Sequence, residues 1–390
     1  MKKLLVCALA LAMVLSMSAS ALAFEPVPKE EIKVGFVYIG DISDGGYTMA
    51  HHNGTLAMQE ALGLSDDQII IKRNVPENSD CEIALMELVE QGCDIIFGIS
   101  FGYMEYMADL AEQYPDVIFS HCSGYMSNDT NFNNYFGRIY EARYLTGIAA
   151  GLRTENNHLG YVAAMQTPEC IYSMNAYFLG ARSVNPDVTM DVTFTGSWYD
   201  EAAEKEAANK LIANDCKLIS QHADSMGAPT ACETKGIPNV SYNGSTLAAC
   251  PKTFIVSSRI DWTPYMTYMI ECVANGKAID VDWCGGITEG SVVLTDINEA
   301  VAAKGTAEAI KAAEEEMKAG TLHVFDTAKD NYITVKGEKL SSYMADVDTD
   351  ADYTADTEAV SDGYFHESEY RSAPYFNVQI DGITLLNSKF

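Results

Sequence analysis

The residues best suited to chemistry stand together at Gln221-His222-Ala223-Asp224, where the short apolar run ending at Ser220 gives out. A histidine beside a carboxylate can act as a general base held by its neighbour. Such a base needs a nucleophile, and no G-x-S-x-G elbow occurs in the chain. Paired carboxylates and an H-E-x-x-H metal motif are also missing. The plainer reading makes Gln221, His222 and Asp224 donors and acceptors for the edge of a ligand. Four further segments set an aromatic ring beside a polar group. They are Asp44 with Tyr47, Ser100 and Phe101 running into Gly102-Tyr103, Ser197 with Trp198, and Asp261 with Trp262. Rings in such places suit a flat ligand held by stacking, each stack adding roughly 1 kcal/mol beyond burial. Asn243, followed by Gly244, ends another apolar run and offers an amide. His51-His52 reads as a surface or cap pair and not as a metal site.

The elements that must position these groups repeat one unit. Val34 to Ile39 is an apolar, β-branched and aromatic run typical of a buried parallel strand. Gly40-Asp41 breaks it, Ser43-Asp44-Gly45-Gly46 makes a polar turn, and helical spacing then runs to Gly63. The turn lacks the spacing of GxGxxG or GxxxxGK[ST], so it does not read as a dinucleotide or phosphate loop. Strand and helix patterns alternate to about residue 156 and restart at His158. Two successive alternations predict an α/β chain of two doubly wound lobes, with ligands at the carboxyl ends of strands in the crevice between them. From Ala328 the helical periodicity is lost, and residues 328–390 read as a wrap-around extension with a short strand at Phe376 to Leu386.

Lys2 and Lys3, an apolar run from Leu4 to Met17 and Ala21-Leu22-Ala23 predict a cleaved export signal over residues 1–23. The run is short for a bilayer span, and no lipobox surrounds Cys7. A net charge of −30 speaks against nucleic acid and anionic membranes as partners. Ten cysteines, nine after cleavage, show no CxxC and no Cys/His ligand spacing, so neither zinc nor another cofactor is expected. Most lie in apolar stretches and read as small buried hydrophobes.

KVGFVYIGDISDGGYTMAHHNG, ISFGYM, YFGRIYEARYLTGIAAG, LGYVAA, NAYFLGARSVNP, SWYD, LISQHAD and DWTPY, in this order, resemble the basic membrane protein family of solute-binding proteins. These are relatives of the purine-nucleoside receptor lipoproteins that feed ABC importers. The resemblance covers roughly Ile32 to Thr327. It implies the periplasmic-binding-protein type I fold, with lobe one over 32–138 and 253–285 and lobe two over 139–252 and 286–327. Hinge crossings are then expected near Arg138, Thr253 and Gly285. It further implies a monomer that binds a purine and delivers it to a permease, with Tyr47, Phe101 and Trp198 lining the slot. Many members carry acidic residues where this chain has Asn243-Gly244-Ser245, so an adenine-like base is expected ahead of a nucleoside. A sugar-binding or ligand-sensing protein of the same fold is the alternative, and a nucleoside hydrolase a more distant one.

Overall fold

A computed structural model describes residues 21–22, 25–128, 130–348 and 354–388. The leader expected over 1–23 lies outside them, apart from Ala21–Leu22, which pair antiparallel with Ile279–Asp280.

The first unit forms as its residue types dictate. Strand β1 (Val34–Val37) is buried throughout, and helix α1 (Tyr47–Leu62) follows it. Asp44 starts that helix, because its carboxylate accepts the N–H groups of Gly46, Thr48 and Met49, donors that the first turn leaves without partners. Gly63, at φ 68°, ends it in a left-handed cap. The pattern continues through β2 (Ile69–Lys72), α2 (Ser79–Glu90), β3 (Ile95–Gly98), α3 (Met104–Gln113), β4 (Ile118–Cys122) and β5 (Phe132–Gly137).

The chain then leaves this sheet. Helix α4 (Ile139–Arg153) packs along α5 (Pro168–Val184). Strand β6 (His158–Ala163) lies between them in sequence, and β7 (Thr189–Phe194), α6 (Glu201–Ala213), β8 (Leu218–Gln221), α7 (Gly227–Lys235), β9 (Asn239–Tyr242) and β10 (Phe254–Ile260) follow. Asp200 caps α6, accepting from the Ala203 N–H. Helix α8 (Thr263–Asn275) returns to pack on α1, and β11 (Asp282–Gly285) joins the first sheet beside β5. Strand β12 (Val292–Leu294) and α9 (Thr306–Lys318) belong with the second lobe, and β13 (Ile383–Leu385) comes from the extension.

The first sheet runs β11-β5-β4-β3-β1-β2, parallel throughout. The second runs β12-β10-β9-β8-β6-β7-β13, with only β12 antiparallel. Three connections link the sheets: Arg138, Asp261-Trp262, and Gly286 to Ser291. The middle one corrects the expected return near Thr253. β10 stays in the second sheet, paired with β9 and β12, and the chain leaves only after Ile260. Arg138 ties two of the connections together, donating its amide to the Gly285 carbonyl and its guanidinium to the Cys284 carbonyl, Glu141 and Glu289.

The extension touches both lobes. Ser372 donates to Asp282 of β11, and Ile383–Leu385 lie parallel to Met190–Val192 of β7. Its strand is therefore shorter than the expected Phe376 to Leu386. The nine cysteines from Cys81 to Cys284 are all unpaired, and eight are buried. Among the described residues, no helix is long and apolar enough to cross a membrane.

Candidate functional site

The carboxyl ends of both sets of strands face one another across a cavity of about 360 Å³. From the first lobe come Asp41, Ser43 and Asp44 after β1, Tyr47 and Thr48 in the first turn of α1, Asn74 after β2, Ser100 and Phe101 after β3, and Ser123 after β4. The second lobe contributes Glu169 in the first turn of α5, Trp198 and Tyr199 after β7, His222 and Asp224 after β8, and Tyr242 ending β9. Parallel strands deliver all of these groups to one level, which is why ligand sites collect at this edge of α/β sheets.

Several of these groups are already committed to the protein. The Tyr47 hydroxyl donates to the Ile99 carbonyl at 2.5 Å, so the residue offers the cavity its ring. Ser100 donates to Glu77 at 2.6 Å. Asp44 spends its oxygens on the start of α1. In the second lobe a buried chain fixes the imidazole of His222. Arg143 Nη2 lies 3.4 Å from His222 Nδ1, and Glu169 Oε1 lies 3.3 Å from Nε2. Arginine can only donate, so Nδ1 accepts and Nε2–H points at the carboxylate. Burial, chiefly, lowers the His222 pKa, with the Arg143 charge adding to it and Glu169 opposing, so the ring is neutral.

Arg143 itself is fully buried. It donates to the Gln221 carbonyl at 3.0 Å, and its guanidinium lies 3.8 Å from the Tyr242 ring centre, a cation–π contact that braces the wall from behind. Asp224 accepts from Asn243 Nδ2 at 2.8 Å. Burial first, then the charges of Asp44, Glu204 and Glu169, raises the Asp224 pKa well above the usual carboxylate range.

Asp44, Tyr47, Ser100, Phe101, Trp198, His222 and Asp224 therefore meet at the cavity. The other expected residues do not line it. Gln221 is buried, its side chain accepting from Asn239. Asn243 stands behind Asp224. The Gly102 amide donates outward to Glu77. Asp261 accepts from the Thr263 N–H at the start of α8 and faces Arg259. Trp262 is core, stacked on His51 at 4.1 Å. The same contact corrects His51, expected at the surface. It is fully buried, and that burial lowers its pKa to about 3. Glu169, Tyr199, Tyr242 and the supporting Arg143 were missed. An arginine in the middle of the apolar helix run YEARYLTGIAAG was the available signal for the last.

Two lobes closing on a cavity at their strand ends define a ligand-capturing protein of the periplasmic-binding-protein type I class. A solved ABC transporter system solute-binding protein of Conexibacter woesei shares the fold, with a TM-score of 0.62 at 21% identity over 75% of this chain and 98% of that one. The family model described as "ABC transporter substrate-binding protein PnrA-like" matches residues 31–324, and the chain belongs to that family, Bmp. A purine-binding protein of Brucella abortus is 33% identical over 68% of this chain and 75% of its own length. A protein of Haloferax volcanii with a provisional glucose-binding name is 34% identical over 70% of this chain and 68% of its own. Members of the family are solute-binding proteins of ABC transporters and not enzymes.

Proposed function

We propose that this chain, exported and monomeric, captures a purine nucleoside between its lobes and hands it to the permease of an ABC importer. One observation carries the reading: the interlobe cavity joins the ring faces of Tyr47, Phe101 and Trp198 to the carboxylates of Glu169 and Asp224. Flat rings favour a heterocycle, and carboxylates favour partners that donate N–H or O–H. The purine-binding name of the Brucella abortus relative points the same way. The volume suits a small ligand, since such sites run from about 300 to 1,000 Å³.

Sequence alone favours a free base, because residues 243–245 lack carboxylates. In favour of a nucleoside, Asn243 stands behind Asp224, and the acidic side chains of Glu169 and Asp224 line the cavity from elsewhere. The nucleoside becomes the first choice and the base the second.

A thermal-shift panel of adenosine, inosine, adenine, guanine and glucose tests this. A ligand at about 100 times its Kd adds about 2.7 kcal/mol of stability. Adenosine or inosine should stabilise most. Stabilisation by adenine alone returns the free base to first place, and stabilisation by glucose alone moves the site to the sugar class. Release of base from adenosine on incubation would make the protein a hydrolase.

A further inference from the structure

At the end of the second sheet away from the cleft, three side chains far apart in sequence converge. His158 opens β6, Asp191 lies early in β7, and Cys216 comes just before β8. The register sets Gly160 beside Asp191, so His158, two residues back from Gly160, shares a sheet face with that carboxylate. Leu159 pairs with Leu218, which brings Cys216 to the same corner. Gly160 lets the neighbours pack close at this corner, because a Cβ there would stand 2.5 Å from Ile219 Cδ1 and 3.2 Å from Cys216 Cβ. Asp191 and Cys216 are buried, and His158 is half-buried.

The geometry around His158 Nε2 is unusual for hydrogen bonding alone. Asp191 Oδ2 lies 3.1 Å from it and Cys216 Sγ 3.8 Å, and all three donor atoms fall within 4.8 Å of one another. A single ring nitrogen carries one proton or one lone pair, so it can bond well to only one of the two neighbours. One cation among them serves all three. Bonds of about 2.0 Å to nitrogen and oxygen and about 2.3 Å to thiolate, at tetrahedral angles, would set nitrogen and oxygen about 3.3 Å apart and nitrogen and sulfur about 3.5 Å apart. Both observed edges lie close to these values. A mixed nitrogen, oxygen and sulfur set suits a borderline-soft ion and not calcium or magnesium, which take oxygen.

We propose that His158, Asp191 and Cys216 bind a divalent cation of the zinc class, pinning the amino ends of β6 and β7 to the turn between α6 and β8. The thiol proton leaves to solvent on binding. Asn214, whose Nδ2 donates to Asp191 Oδ2, closes one side, and water takes the fourth position. No spacing in the sequence announces the trio, because the fold alone gathers it. The site stands apart from the cleft and does not depend on which ligand the cleft takes.

The test is titration of the chelator-stripped full chain with Co2+ and Zn2+. Co2+ should give a thiolate-to-metal charge-transfer band at a single equivalent, and Zn2+ should raise the melting temperature. Cys216→Ser should abolish the band. His158→Asn should weaken Zn2+ binding by more than the roughly 10- to 100-fold that loss of an outer-shell partner costs. Metal-free melting of each variant reports folding, and the half-exposed His158 position gives a reading if Cys216→Ser unfolds. Absence of the band in the parent chain, or a band that survives Cys216→Ser, overturns the proposal.

Discussion

Trp198 shows how a single side chain is committed to the cleft. Its carbonyl accepts from the Asp224 amide at 3.0 Å, which fixes the turn, and its ring sits 6.3 Å from that of His222 on the cavity wall. Trp198→Ala should weaken ligand binding by about 1–3 kcal/mol, the cost of losing a base–aromatic stack. Calorimetric titration checks it, and an unchanged affinity would remove Trp198 from the site. Trp262 carries a similar sequence signature, a polar residue beside a tryptophan at a strand end, yet it is buried against His51. Sequence could not separate the two, because the difference lies in what docks on them: α8 packs on α1 and swallows Trp262, whereas Trp198 lines the cavity between the lobes. Glu169 was hidden for a related reason. Thr167-Pro168 announces a helix start, and only the fold turns that helix's first turn toward the cavity.

At the scale of elements, the extension depends on a buried acid. Glu367 accepts the N–H groups of Tyr375 and Phe376, while its own carbonyl faces the Tyr140 hydroxyl of α4. Burial, only partly offset by those N–H donors, raises its pKa from 4.5 to about 7. The folded chain thus keeps a proton that the unfolded chain gives up. The corresponding stability is full below about pH 4.5 and is lost as pH rises through about 7. Glu367→Gln should flatten the fall in melting temperature across that window. A variant whose melting temperature tracks the parent at every pH would show that the acid is not the titrating group. The repeating strand–turn–helix units were legible because their apolar runs are buried on both faces and read as continuous strands. The pairing of β13 with β7 was not, because that register joins residues nearly two hundred positions apart.

In the whole molecule, the lobes meet at a glycine turn. A Cβ on Gly46 would stand 2.6 Å from the Asp224 carbonyl oxygen, and one on Gly244 would stand 3.0 Å from the Gly45 carbonyl oxygen. The turn that reads in sequence as a polar break is thus also the surface on which the second lobe closes. Closure draws its energy from contacts made only in the closed form. Gly46→Ala should therefore prop the cleft open, lowering affinity and enlarging the liganded radius of gyration in small-angle scattering while each lobe stays folded. Unchanged compaction with ligand would place the closing surface elsewhere. The position of β13 carries a different consequence, one of timing. Synthesis runs from the amino end, so β7 emerges long before the strand that covers its outer edge. Until Ile383–Leu385 leave the ribosome, that edge is a bare row of amides and carbonyls, open to any passing strand. The second sheet is sealed by a strand translated nearly two hundred residues after β7, so a chain cut short between the two ends as a template for aggregation.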